Sequence, residues 1–209
     1  MDEEKARPVK ACGAGEKAAD GQAKGHGPTS YHALNPERIF SELGLLAGHV
    51  FLDLGCGVGD YAVDAAGRVG DGGIVFALEK SERLVADLKN KASRMGLGMI
   101  RPVAADITRP LPLNDASVDV CLICTVLHIP GVSERMEKIF REVFRVLKPG
   151  ARVVIVECHK EEMSLGPPLY MRLAPGEIEA VAARCALKKA GYVDLGFLYS
   201  IKYAKDSPA

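Results

Sequence analysis

The chain has 209 residues, enough for one domain with a sizeable core and too few for two of ordinary size. Its 27 basic and 27 acidic residues give a formal net charge of +0, so no overall field draws a polyanion and nucleic acid is not the expected partner. No apolar run approaches the roughly 20 residues a membrane span needs, and the charged start Met1-Asp-Glu-Glu-Lys5 is unlike a secretory signal, so a reducing, cytoplasmic setting is expected.

Residues 1–28 are rich in Ala, Gly, Lys and Glu and cannot bury enough surface to offset ordering entropy. A disordered tail is expected there, with a single domain over 29–209. Tyr31 and His32 follow, as a lid or as a joint between tail and core. Asn35-Pro36-Glu37 reads as a helix start, Asn capping free amides and Pro occupying the first helical position, with Ile39, Phe40, Leu43 and Leu46 as the apolar face.

From Val50 the chain alternates strand and helix patterns. Strands are expected at Val50–Leu54, Ile74–Leu78, Ile100–Ala104, Val118–Ile123 and Arg152–Glu157, with a last strand or hairpin from Val193 towards Ala204. Helices are expected at Tyr61–Val69, Ser81–Met95, Ser133–Leu147 and Pro175–Ala190, the third stopped by Lys148-Pro149-Gly150. Near-continuous apolar strands between amphipathic helices imply a doubly wound α/β fold, a mainly parallel sheet with helices on both faces. With only 18 residues after Gly191, the seventh strand is expected to be short or missing, leaving an edge on which a homodimer could form.

Cys121 and Cys124 have a C-x-x-C spacing, but on a strand positions three apart face opposite sides and cannot chelate one metal. No metal site is expected.

The strongest chemical signal is Leu52-Asp-Leu-Gly-Cys-Gly-Val-Gly59. Three alternate glycines between a strand and a helix let a ligand lie against main-chain atoms. A dinucleotide fingerprint would require its third glycine at position 60, which is Asp60. Glu79 ends the second strand, 20 residues after Gly59, where a carboxylate can hold both hydroxyls of a ribose. Asp106 follows the third strand, where it can accept from an exocyclic amine.

Together these elements resemble the class I S-adenosylmethionine-dependent methyltransferases, and within them the small enzymes similar to ubiquinone and menaquinone biosynthesis methylases. The resemblance spans residues 31 to 195 and includes Asp115-Ala-Ser-Val-Asp-Val120 and Leu147-Lys-Pro-Gly-Ala151. It implies S-adenosylmethionine as cofactor and a small-molecule methyl acceptor. It assigns the methionine part to Asp53, Gly55 and Gly57, the ribose to Glu79 and the adenine to Asp106. Cys56, Lys80, Ile107, Cys124 and Tyr31 would flank them. Candidates for a base or substrate contact are His128 after the fourth strand and Glu157 and His159 after the fifth. The alternatives are a histidine that packs or holds a loop carbonyl, and a surface ion pair. A nicotinamide-dependent oxidoreductase, or a cofactor-binding protein without catalysis, are the competing readings of the whole chain.

Overall fold

A computed structural model of the chain describes residues 30–33 and 35–207. The tail expected over residues 1–28 lies outside them. Among the described residues are seven strands, β1 (Val50–Leu54), β2 (Ile74–Glu79), β3 (Ile100–Ala104), β4 (Val118–Cys124), β5 (Leu147–Cys158), β6 (Lys188–Asp194) and β7 (Leu198–Ala204). They form one sheet in the order β3-β2-β1-β4-β5-β7-β6, parallel except for β7, which runs antiparallel to both neighbours. The helices are α1 (Ser30–Ala33), α2 (Pro36–Leu43), α3 (Asp60–Val69), α4 (Glu82–Arg94), α5 (Met136–Val146) and α6 (Pro175–Arg184).

The alternation of side chains along each strand divides the core in two. On one face Leu52, Cys121, Val153 and Ile155 pack with Phe140 and Val143 of α5 and Ile178 of α6. On the other, Phe51, Leu122 and Val154 pack with Ile39 and Phe40 of α2, Ala62 and Ala65 of α3 and Leu88 of α4. Cys121 belongs to the first cluster and Cys124 to the second, so the C-x-x-C pair straddles the sheet.

Local chemistry sets most helix ends. Asn35 caps α2 by accepting from the Glu37 amide at 3.0 Å, and Gly44, at φ 55°, ends it. Ser81 caps α4 through the Leu84 amide at 3.4 Å. Helix α3 has no side-chain cap, because Gly59 stands at its N-terminus with φ 80°.

Three sequence expectations need correction. The seventh strand is neither short nor missing: β7 has seven residues and pairs along its length with β5. It fills the edge on which the case for a homodimer rested. Helix α6 stops at Arg184 rather than Ala190, since Ala186 turns the backbone to φ 56° and residues 188–194 gain a ladder with β7. That pairing outweighs the helical preference of Ala186-Leu-Lys-Lys189. Residues 133–135 form a 3-10 turn ahead of α5, and β5 begins at Leu147, paired with Val118.

Candidate functional site

The strand order reverses between β1 and β4, and the loops leaving these two strands lie side by side at the carboxyl edge of the sheet. This is where ligands of doubly wound sheets bind. A cavity of about 900 Å³ opens there, walled by the loops after β1, β2, β3 and β4. All ten residues assigned to the cofactor by the sequence line it: Tyr31, Asp53, Gly55, Cys56, Gly57, Glu79, Lys80, Asp106, Ile107 and Cys124.

The glycine loop is held by backbone bonds that leave room above it. Gly55 and Cys56 both donate to the Leu78 carbonyl, at 2.8 and 2.9 Å, and Gly59 donates to Cys56 at 2.9 Å. A Cβ on Gly55 would lie 2.8 Å from Val126 Cγ2, and one on Gly59 would lie 2.5 Å from Leu88 Cδ1. These two glycines are required by packing. Gly57 differs, since a Cβ there would meet nothing within 4 Å. Its open side is the cavity that it lines.

Glu79 does more than its position suggested. Its Oε2 accepts from the Gly57 amide at 3.1 Å and its Oε1 from the Ser81 amide at 2.9 Å, tying the β1 loop to the start of α4. Each carboxylate oxygen retains a further lone pair, so two ligand hydroxyls can still be accepted. Asp106 Oδ1 accepts from the Thr108 amide at 3.0 Å and hydroxyl at 2.7 Å, while Oδ2 meets Lys80 Nζ at 3.1 Å. The Thr108 bonds, reinforced by Lys80, hold its carboxyl down to about 2.

Asp53 is the polar anomaly of the site. It is 3% exposed, and its Oδ2 is buried without a hydrogen-bond partner. Burial pushes its carboxyl up to about 7, against the pull of the Ala62 amide and with a smaller contribution from Glu79. A buried carboxylate oxygen left unpaired costs free energy, and here it borders a cavity where a ligand donor could supply the missing bond. Burial also raises the Cys56 thiol well above its usual range, so Cys56 packs as a neutral side chain. Tyr31 donates to Asp64 Oδ2 at 3.1 Å and stands edge-on to Tyr61, which carries α1 to the cavity rim.

The three candidates for chemistry separate. Glu157 is not in a surface ion pair. It is wholly buried at the end of β5, where Oε1 accepts from the Val126 amide at 3.0 Å and the Leu127 amide at 2.7 Å, and Oε2 lies 2.7 Å from His128 Nδ1. A carboxylate only accepts, so Nδ1 carries the proton of that bond. His128 is 12% exposed in its side chain, and neither it nor Glu157 is among the residues lining the cavity. Their neighbours Val126 and Ile129 are. His159 sits apart, edge-on to Tyr199 with Nε2 3.4 Å from Asp194.

Sequence reasoning missed two features. Arg172 is buried and donates to four carbonyls, those of Pro167 at 2.8 Å, Glu161 and Leu165 at 2.7 Å and His159 at 3.3 Å. It gathers the segment after β5 around one guanidinium, and no residue of 159–172 lines the cavity. The second is a set of cations among the cavity-lining residues, Arg109, Arg135 and Lys138. Their placement depends on how the β3 and β4 loops fold together, which local spacing does not carry.

Comparison with known proteins fits this geometry. Residues 52–155 match the family described as "Methyltransferase domain". A demethylmenaquinone methyltransferase of Lactobacillus johnsonii is 30% identical over 152 residues, covering 70% of this chain and 60% of that protein. The ubiquinone/menaquinone biosynthesis C-methyltransferase UbiE of a Marinomonas species is 29% identical, covering 72% of this chain and 61% of that protein. The chain therefore spans about six-tenths of the length of these curated relatives. The crystal structure of a SAM-dependent methyltransferase from Aquifex aeolicus superposes with a TM-score of 0.75 at 27% identity, covering 82% of this chain and 89% of that one.

Proposed function

Because this chain belongs to the class I S-adenosylmethionine-dependent methyltransferases, we propose that it transfers a methyl group from S-adenosylmethionine to a small-molecule acceptor. The observation that carries this reading is the Asp53 oxygen, buried and unpartnered beside a glycine loop whose Gly57 is open to the cavity. S-adenosylmethionine supplies a methyl carbon on a cationic sulfur that departs as a neutral thioether.

The residues present fit such a group. Asp53 would accept a hydrogen bond from the amino acid part, Gly55 and Gly57 would let it lie against the main chain, and Glu79 would take the ribose hydroxyls. Asp106 and the Ile107 side chain would bound the adenine. Tyr31, Cys56, Lys80 and Cys124 complete the walls. The chain's share of the work is then to align donor and acceptor and to exclude water, an advantage that can reach several kcal/mol when reacting atoms are held in line.

Glu157 acts in this scheme as a positioning residue. It fixes the amides of Val126 and Leu127, and Val126 in turn presses on Gly55, so the carboxylate sets the spacing of the two loops that form the cavity. His128 completes the same clamp. A base is required only for a weakly acidic oxygen or nitrogen acceptor. His159 is not among the residues that line the cavity, and this scheme gives it no part.

The relatives from Lactobacillus and Marinomonas are named for menaquinone and ubiquinone methylation, which makes quinones the first acceptor class to assay. The test is calorimetric titration with S-adenosylhomocysteine, followed by transfer of labelled methyl from S-adenosylmethionine. Saturable binding with no response to NADH is expected. Binding of NADH in place of S-adenosylhomocysteine would overturn the reading.

A further inference from the structure

The cavity is electrically divided. Asp53, Glu79 and Asp106 line it from the ends of β1, β2 and β3 and Asp60 from the start of α3, with Lys80 paired to Asp106 at 3.1 Å and Lys91 to Asp60 at 3.2 Å. Arg109, Arg135 and Lys138 line it from the end of the β3 loop, the 3-10 turn and the first turn of α5. None of these three lies within ion-pair distance of a carboxylate among the described residues. Arg135 uses Nη1 on the Gly131 carbonyl at 2.8 Å, which fixes its stem and leaves the rest of the fork free. Of the neighbouring acids, Glu134 accepts from the Gly131 amide at 2.5 Å and feels the Arg135 charge without reaching ion-pair distance, and Glu137 pairs with Arg141 and Arg184. Ile129, 42% exposed, and Pro130 and Val132, close to Arg135 in sequence, add apolar surface to the cavity.

A cationic methyl donor matches the acids, and the three cations without an ion-pair partner are then left for the acceptor. From this division we infer that Arg109, Arg135 and Lys138 form an oxyanion-binding subsite for the acceptor, which carries an ionised carboxylate or phosphate on an apolar body. Guanidinium groups bind such oxyanions through paired N–H bonds, and a lysine adds a point charge. A quinone without an ionised group would leave these cations unpaired. The inference rests on the methyl-donor reading above.

The experiment uses the full chain saturated with S-adenosylhomocysteine and three probes of one shape: 1-naphthoate, 1-naphthyl phosphate and the neutral 1-naphthamide. We expect at least one anion to bind ten or more times more tightly than the amide, and which of the two does so distinguishes a carboxylate from a phosphate acceptor. The triple variant R109Q/R135Q/K138Q should lose that preference while holding S-adenosylhomocysteine within about twofold of the parent. Retained cofactor binding shows that the variant is folded. Equal affinity for the amide and the anions, or a preference that survives the triple substitution, overturns the subsite and leaves the donor reading intact. Failure of the parent to bind S-adenosylhomocysteine overturns both. If the probes show no preference and the triple variant loses sedimentation with phosphatidylglycerol vesicles, the cations serve a membrane surface and the subsite is refuted.

Discussion

Removing the Glu157 carboxylate tests the clamp between the β4 and β1 loops. In Glu157→Ala the amides of Val126 and Leu127, both buried, lose the acceptor they have in the parent, as does His128 Nδ1. An unsatisfied buried donor costs about 1 to 3 kcal/mol, so two of them cost about 2 to 6 kcal/mol before any relaxation. Against a total stability of about 5 to 15 kcal/mol this is a large share. With a urea slope of about 1 to 3 kcal/mol per molar, the unfolding midpoint should fall by about 1 M or more. Glu157→Gln separates the roles of shape and charge. Its amide oxygen can keep both backbone amides, while its NH₂ faces Nδ1 and forces His128 into the other tautomer, for a cost of about 1 to 2 kcal/mol. Because Val126 touches the position of a Gly55 side chain, the alanine variant should also bind S-adenosylhomocysteine more weakly. An alanine variant within 1 kcal/mol of the parent in urea unfolding, with unchanged binding, would refute the clamp.

Other expectations follow from the same geometry. Asp53 holds its proton up to about pH 7 when folded and to about pH 4 when unfolded, so its stabilising contribution is complete below pH 4 and is lost as pH rises through 7, on the order of 4 kcal/mol in all. Asp53→Asn should therefore raise the melting temperature of the ligand-free protein at pH 8 and leave it little changed at pH 4; the same gain at both would sink the idea. In the parent, S-adenosylhomocysteine binding should release protons below pH 7, visible as a dependence of calorimetric heat on buffer ionisation. Glu79→Ala should weaken that binding by about 1.5 to 3 kcal/mol, roughly 10- to 150-fold, measured by the same titration. Gly59→Ala, whose methyl would press into Leu88, should destabilise by about 1 to 3 kcal/mol, whereas Gly57→Ala, whose methyl points into open space, should cost about 1 kcal/mol in stability and weaken ligand binding disproportionately. A reversed order of the two glycine variants in thermal melts would count against the cradle.

Much of this architecture is legible in the chain because local and global preferences agree. Val50–Leu54, Ile100–Ala104 and the cap residues Asn35 and Ser81 behave as their chemistry dictates. The cavity wall after β1, β2 and β3 is legible because glycines and acids must stand at strand ends to reach a ligand. Long-range pairing escapes such reading. Residues 188–190 look helical and become strand only because β7 is there to pair with them. Glu157 looks like a surface acid, although it ends the apolar run Val153–Val156, and that was the available signal: a charge closing a buried strand needs partners. Its partners are amides of a different loop, which no side-chain pattern announces. Arg172 is hidden for the same reason, since its acceptors are carbonyls.

The order β5-β7-β6 has a consequence for biosynthesis. Residues 198–204 fill the gap between β5 and residues 188–194, so β6 is joined to the sheet only through a strand made after it. Until that last strand has emerged from the ribosome, β5 presents a bare, apolar edge of the kind that recruits other nascent chains. A stop codon or proteolytic cut ahead of Leu198 should therefore do more than shorten the chain: it would strip two strands from the sheet and yield an aggregating product in place of a smaller folded one.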